Sequence, residues 1–278
     1  MKLFDLSGKI AIVTGGNGGI GLGMAQAFAS RGMNLVLADL NGEQLKAVEE
    51  ECQAVGVKVV TQKCDVSKLE QVEQLAELAV QRFGGVHTVC SNAGVGLPTS
   101  ARNIKLSDWE WIINVDLWGP VYTVKVFLPL LEEQDWGHIN ATSSMAGLIS
   151  SQMMGAYNVA KHGVVALMGS DRKGTALEKT NVYASVLCPG PINTNISQNS
   201  VEYRPGGGKP KEDSEKAGKI ASNIQATLEQ GMHPDEVGEL VASSIEHDKF
   251  WILTHPRWSK VVQKQLDALN EDQSLTRA

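Results

Sequence analysis

The sequence predicts an α/β protein: a single doubly wound domain whose parallel sheet has about seven strands, with helices on both faces. Two observations predict it. Short apolar runs rich in β-branched residues alternate with longer segments of helical period, the pattern of βαβ units. The first run passes straight into a glycine-rich turn and then into a helix, the way such sheets begin. A chain of 278 residues is long enough for two domains. No Pro/Gly/Ser linker interrupts the alternation, however, so one domain over residues 1–278 is expected.

Residues 9–14, Lys-Ile-Ala-Ile-Val-Thr, read as a buried strand. Thr14-Gly-Gly-Asn-Gly-Gly-Ile-Gly21 follows, and Ile20, Met24, Ala27 and Phe28 then share one helical face up to Arg31-Gly32. Strand, glycine turn and helix together form a phosphate cradle. Glycine lets the backbone approach a pyrophosphate, and the helix N-terminus offers free N–H groups and the positive end of its dipole. Gly15, Asn17, Gly19, Ile20 and Gly21 are therefore candidate dinucleotide contacts. The next strand, residues 34–39, ends in Asp39, roughly 20 residues past the turn, where a carboxylate can hold the adenosine ribose hydroxyls. That carboxylate repels a 2′-phosphate, and no Arg or Lys stands in the turn or at Leu40-Asn41 to neutralise one. NAD is expected rather than NADP. Asp39 can also cap a helix over residues 43–54. Further strands are expected at 58–63, 86–91, 138–142, 182–188 and 251–254, and helices at 67–83, 107–132 and 156–178.

Tyr157 and Lys161 stand at i and i+4, on one face of the helix expected over 156–178. A free tyrosine, with a pKa of about 10, moves protons poorly near neutrality. A lysine ammonium beside it favours phenolate. Bringing the phenol toward 7 takes roughly 4 kcal/mol of electrostatic bias, at about 1.36 kcal/mol per pKa unit. The pair thus reads as a tyrosine tuned for acid–base work, although the spacing alone is common on helix faces.

With the glycine turn and Asp39, these residues resemble the short-chain dehydrogenase/reductase family, from about Leu6 to Thr254. The resemblance implies a Rossmann fold, NAD and a proton-moving tyrosine. It identifies Thr14–Gly21 with the family's Thr-Gly-x-x-x-Gly-x-Gly, and Asp65-Val66 with its adenine contact. Asn92-Ala93-Gly94 resembles the turn beside the adenosine ribose. Asn114, in Asn114-Val-Asp-Leu, matches the family's helix asparagine, implied to hold a water joining Lys161 to solvent. Ser144, thirteen residues before Tyr157, matches the serine that hydrogen-bonds the substrate oxygen. Pro189-Gly190, with Ile192 and Thr194, resembles the segment facing the nicotinamide. The implied catalytic set is Asn114, Ser144, Tyr157 and Lys161. Tyr157 moves the proton; Lys161 grips the ribose and lowers the tyrosine pKa, aided by the positive charge of the oxidised nicotinamide.

The implied reaction interconverts a secondary alcohol and a ketone. Same-fold epimerase or lyase chemistry, or a non-catalytic NAD-binding role, are the alternatives. Ser144, Met145, Met154, Tyr157, Pro191 and Ile196 are candidate substrate contacts, with Val95, Leu97, Met153 and Ile192 beside them. Most are apolar, suiting a medium-sized apolar or aromatic substrate. Residues 195–233 are polar and contain Arg204-Pro-Gly-Gly-Gly-Lys-Pro-Lys; they read as an insertion forming a substrate lid. Residues 255–278 read as a helical tail. The net charge of −6 argues against nucleic acid or anionic membrane as partner. No apolar run approaches the ~18 residues of a membrane span, and the N-terminus lacks a signal-peptide core. The cysteines Cys52, Cys64, Cys90 and Cys188 and the six histidines show no metal spacing, so no metal and a cytoplasmic setting are expected. The family resemblance implies a homo-oligomer, dimer or tetramer, built through the helices at 107–132 and 156–178.

Overall fold

The computed structural model describes residues 2–173, 181–208 and 215–271. Seven parallel strands form one sheet in the order β3-β2-β1-β4-β5-β6-β7. They are β1 Ile10–Thr14, β2 Asn34–Asp39, β3 Val59–Lys63, β4 Thr88–Ser91, β5 Gly137–Thr142, β6 Val182–Cys188 and β7 Trp251–Leu253. Each expected strand is present, displaced by at most two residues at an end. The architecture is the doubly wound Rossmann-like sheet expected of the sequence.

Strand alternation sorts the core into two layers. In β1, Ala11 and Val13 face one side while Ile10 and Ile12 face the other; in β2, Leu35 and Leu37 oppose Val36 and Ala38. A sheet buried on both faces needs apolar residues at every strand position, which is why these runs are continuous rather than alternating. One layer joins α1 (Gly19–Ala29) and α9 (Pro234–Glu246) through Met24, Phe28, Val237 and Val241. The opposite layer receives Val72 and Leu75 of α3 (Leu69–Phe83), Phe127 and Leu131 of α5 (Gly119–Glu132), and Val164 and Met168 of α6 (Gly155–Lys173).

Three differences from the sequence expectation bear on the site. The helix expected over 107–132 is two helices, α4 (Leu106–Ile113) and α5, joined by a π-helical turn at Asn114–Trp118. Residues 195–233 carry two helices, α7 (Ile196–Glu202) and α8 (Glu215–Glu229), where a loop-like polar stretch was expected. The helix after Asp39, α2 (Leu45–Gln53), starts later than position 43, and Asp39 does not cap it: Gln44 occupies the N-cap. In the tail, α10 (Ser259–Glu271) follows a short 3₁₀ turn at Pro256–Trp258; positions 174–178 of the expected sixth helix and 272–278 of the tail lie outside the described residues. No described helix is long and apolar enough to cross a membrane.

The helix carrying the glycine turn is braced by α9 at a contact with no room for side chains. A Cβ on Gly238 would lie 2.0 Å from the Gly23 carbonyl oxygen. Backbone cannot yield there as a flexible side chain could. Gly238→Ala is expected to cost about 1–3 kcal/mol, the range for overpacked interiors. Urea denaturation followed by far-UV circular dichroism checks this; an unchanged midpoint would show that the two helices are free to separate.

Candidate active site

The connections from β1 and β4, adjacent at the centre of the sheet, run in opposite directions, so a crevice opens beyond their C-terminal ends. A cleft of about 890 Å³ lies there. Its floor is pinned by hydrogen bonds between strand ends. The Thr14 hydroxyl oxygen accepts from the Asn92 and Ala93 N–H groups (2.9 and 3.1 Å), and the Asn92 amide donates to the Thr14 carbonyl (3.1 Å). The Thr142 hydroxyl in turn donates to Asn92 Oδ1 (3.1 Å), tying in β5. Gly15 sits at φ +67°, and a Cβ there would be 2.9 Å from Ala93 Cα. Only glycine satisfies both constraints.

The expected dinucleotide residues gather along this cleft: Gly15, Asn17, Gly19, Ile20, Asp39, Asp65, Val66, Asn92, Ala93, Gly94, Pro189, Gly190, Ile192 and Thr194 all line it. Gly21 does not. It is buried beneath the turn, where a Cβ would lie 1.9 Å from the Gly15 carbonyl oxygen. Its place is packing of α1 under the loop rather than contact with a ligand. Asp39 closes one end. Its carboxylate accepts from the Asn17 N–H (3.3 Å) and the Asn41 N–H (3.1 Å), and burial pushes its carboxyl up against those two bonds. Asp65 spends Oδ1 on the Ser67 N–H and hydroxyl, which fixes the turn into α3.

At the other end stand Ser144, Tyr157 and Lys161. The two serines after β5 separate cleanly. The Ser143 hydroxyl is buried and donates to the Lys161 carbonyl (2.8 Å). Ser144 is only partly buried, lines the cleft, and accepts the Ala146 N–H at the head of a 3₁₀ turn, Met145–Gly147. The thirteen-residue spacing thus selects the serine that faces the ligand space. Tyr157 is half-buried, and its ring has Lys161 Nζ 5.4 Å from the centroid. Lys161 is 3% exposed and donates to the Thr142 carbonyl (3.1 Å).

The structure corrects the assignment of Asn114. Its side chain is exposed, and it does not line the cleft. Two residues on, Asp116 is fully buried with Oδ2 3.3 Å from Lys161 Nζ. Its Oδ1 accepts the Val95 N–H (2.8 Å). The intervening π-helical turn is wider than an α-helical one and sets which side chain of Asn114-Val-Asp faces inward.

Asp116 also changes the electrostatics. Burial pushes its carboxyl up, opposed by Lys161 and the Val95 N–H. Burial pulls the Lys161 ammonium down, but Asp116 and Tyr157 outweigh it, so Lys161 is an ammonium held above its ordinary value. For Tyr157, burial pushes the phenol up, Lys161 pulls it down, Asp116 pushes it up and a Ser144 hydrogen bond pulls it down; the net direction is upward. The expected lowering couples Lys161 to the cationic ring of the oxidised nicotinamide; without that ring, burial holds the phenol above its ordinary value. Difference absorbance at the phenolate band, taken against Tyr157→Phe, should show this phenol ionising above 10. A midpoint below the ordinary tyrosine value would contradict it.

The remaining wall is apolar and belongs to several elements. Met145, Met154, Pro191 and Ile196 line it as expected, with Val95. Leu97 is instead in a small core cluster with Ile112, and Met153, at φ +57°, turns away with its carbonyl accepting the Thr99 N–H. Missing from the sequence reading are Trp111, Ile220, Ile224, Leu228 and Trp258. The i, i+4, i+8 spacing of the three α8 residues was the available signal. Just past α7, Arg204 makes a two-pronged ion pair with Asp108 of α4 (2.9 and 2.7 Å), both side chains buried, and also donates to the Gly208 carbonyl (3.0 Å). This clamps the segment carrying Glu202 and Tyr203, which line the cleft.

The Arg204 guanidinium holds the Asp108 carboxyl below its ordinary 3.8. A depressed folded-state value means the clamp is intact above 3.8 and is lost only as pH falls through the lower, folded value. Asp108→Asn leaves Arg204 buried and unpaired, at a cost on the order of 3–5 kcal/mol. Faster amide exchange over residues 203–208 in this variant is expected at pH 7; equal rates would show that the ion pair holds nothing in place.

Known proteins share this architecture. The profile of the short chain dehydrogenase family matches residues 9–205. A short chain dehydrogenase/reductase from Burkholderia phymatum, solved in complex with NAD, superimposes with a TM-score of 0.93 at 32% identity, covering 99% of each chain. A D-beta-hydroxybutyrate dehydrogenase from Cupriavidus necator is 34% identical over 201 residues, 72% of this chain and 76% of that one. A C alpha-dehydrogenase from Sphingobium sp. is 28% identical over 271 residues, 95% of this chain and 86% of that one. Sheet, cleft and profile define an oxidoreductase that acts on a CH–OH group with a nicotinamide dinucleotide. The chain belongs to the short-chain dehydrogenase/reductase family.

Proposed function

We propose that this protein is an NAD-linked alcohol dehydrogenase or ketone reductase for a medium-sized apolar or aromatic secondary alcohol. One observation carries the reading: Ser144, Tyr157 and Lys161 converge on the same cleft as the glycine turn and Asp39, under a wall of Met145, Met154, Trp111, Ile196 and Trp258. A dinucleotide fits the residues present, with backbone at Gly15, Gly18 and Gly19 bared toward the cleft and a carboxylate at one end. Gly15, Asn17, Gly19, Ile20, Asp39, Asp65, Val66 and the Asn92–Gly94 turn hold its adenosine and phosphate portions in this reading. Pro189, Gly190, Ile192 and Thr194 flank its reactive ring. When bound, NAD accepts or supplies the hydride.

The protein's part is to position the oxygen and move a proton. Ser144 donates to the carbinol or carbonyl oxygen. Tyr157 exchanges a proton with that same oxygen, taking it during oxidation and giving it during reduction. Lys161, an ammonium at the site, stabilises phenolate and binds ribose hydroxyls. Apolar walls exclude water around the reacting carbon, which strengthens each of these interactions.

The described part of residues 195–233, with α7 and α8, forms the cover of the substrate space in this reading, positions 209–214 lying outside the described residues; Trp258 adds to its wall. Self-association through α5 and α6 is part of it too, since Trp118, at the end of the π turn just before α5, and Val159 of α6 are exposed. One relative's name, D-beta-hydroxybutyrate dehydrogenase, carries a small hydroxy acid. The breadth of the apolar wall here favours a larger substrate than that.

A panel of secondary alcohols with NAD, read by NADH absorbance, tests the reaction and the substrate class together. Absence of turnover across aryl and alkyl alcohols would defeat the proposal. In the same assay Tyr157→Phe is expected to lower kcat by about 10²–10⁴, the usual worth of a positioned acid–base group. Asp39→Ala should lower the preference for NAD over NADP by about tenfold or more, equivalent to about 1.4 kcal/mol. A preference left as it was would remove Asp39 as the discriminator.

A further inference from the structure

We propose that Asp116 is a positioning residue for the reaction: its buried carboxylate offsets part of the Lys161 charge felt by Tyr157, so that ionisation of the tyrosine leans more heavily on the oxidised cofactor. The inference rests on the reading of Tyr157 as the proton-moving group. It begins from geometry. Asp116 is fully buried, its Oδ2 lies 3.3 Å from Lys161 Nζ, and that oxygen has no hydrogen-bond partner among the described residues. Oδ1 is held by the Val95 N–H (2.8 Å), so the carboxylate cannot swing away.

A lone buried ammonium beside a phenol acts on it at full strength. A carboxylate at 3.3 Å turns that monopole into a dipole, whose field falls off faster with distance. Among the described residues, the charged and titratable groups acting on Asp116 are few. Lys161 meets it directly from α6, and Tyr157 stands beside Lys161 on the same helix; the Cys188 thiol at the end of β6, which neighbours Lys161, is pushed up to about 12 and so contributes no charge near neutrality. Asp116 and Lys161 act on the phenol in opposite directions, as the site's electrostatics already require. Lys161, so offset, and the Ser144 hydrogen bond do not outweigh burial, and the further bias toward phenolate is that of a cation arriving from outside the protein. The oxidised nicotinamide ring is one; the reduced ring is not.

The arrangement gives the tyrosine a condition. With no cofactor, or with the reduced form, it stays a phenol, the form able to donate. With the oxidised form, it is biased toward the form able to accept.

Asp116→Asn isolates the charge, because an asparagine keeps an oxygen for the Val95 N–H. In cofactor-free protein, the phenolate midpoint of Tyr157, obtained by difference against Tyr157→Phe, should fall by about one pH unit. The acid limb of kcat for alcohol oxidation should move the same way, while NADH binding by fluorescence stays within threefold of the parent. An unmoved or raised midpoint overturns the proposal, and so does a fall in kcat with no shift of the pH profile, which marks a merely structural carboxylate. As a check independent of the variant, the carboxyl ¹³C resonance of Asp116 in the unmodified protein should stay that of an ionised carboxylate from about pH 6 to 9. A neutral Asp116 in that range overturns the proposal whatever the variant does. Turnover that survives Tyr157→Phe would instead remove the acid–base reading beneath it, a separate result.

Discussion

Everything at the ligand edge depends on how three strand ends are pinned at the point where the sheet changes direction. Thr14, Asn92 and Thr142 belong to β1, to the turn after β4, and to β5, and their side chains bond to one another and to the neighbouring backbone. Each such bond adds only about 1 kcal/mol net, yet leaving a buried partner unmade costs about as much again or more. The junction is therefore fixed less by the strength of any bond than by the penalty for breaking one. The glycine turn, the Asn92–Gly94 turn and Lys161, which reaches the Thr142 carbonyl, all take their positions from it.

On this base the protein places two buried charges where a nonpolar interior disfavours even one. Lys161 and Asp116 survive burial because each lowers the other's desolvation cost. The pairing spans elements far apart in the chain, from the turn between α4 and α5 to α6. It joins helix packing to the electrostatics of the phenol. A second buried pair, Asp108 with Arg204, does similar work at the rim, linking α4 to the end of α7. The helical layer with the π turn thus carries both the charge facing the reacting centre and the anchor of its outer wall.

Much of this was legible in the sequence, for identifiable reasons. Strands buried on both faces, such as β1 and β2, announce themselves as continuous apolar runs, and the regular alternation with helical segments locates the less apolar β4 and β5 and the edge strands β3 and β7. The glycine turn, Asp39 and the Ser144–Tyr157–Lys161 spacing are local patterns on regular elements, where counting residues is equivalent to measuring distance. Reading failed where that equivalence fails. Asn114 follows from residue type, by resemblance to the family's helix asparagine, whereas the π turn brings Asp116, two residues on, to face Lys161. Gly21 belongs to the glycine pattern but serves packing, a distinction visible only from the Gly15 oxygen beneath it. The helices within 195–233 are hidden by polar composition: most of the described side chains of α8 are exposed, and its apolar contribution to the cleft is Ile220, Ile224 and Leu228.

The four cysteines complete the picture of a site with its charges under control. All are buried and none is bonded to another. Burial pushes the thiols of Cys52, Cys64 and Cys188 up to about 11, 12 and 12, and raises that of Cys90 as well. Thiolate is the form that attacks peroxides and disulfides, and it is scarce at every one of these sulfurs. Cys188 lies one residue from the segment that flanks the cleft, where a reactive sulfur would give oxidative stress a handle on turnover. With the thiols silent, this oxidoreductase senses the redox state of its surroundings through its diffusible cofactor, as a ratio of two concentrations, and keeps no covalent record of it.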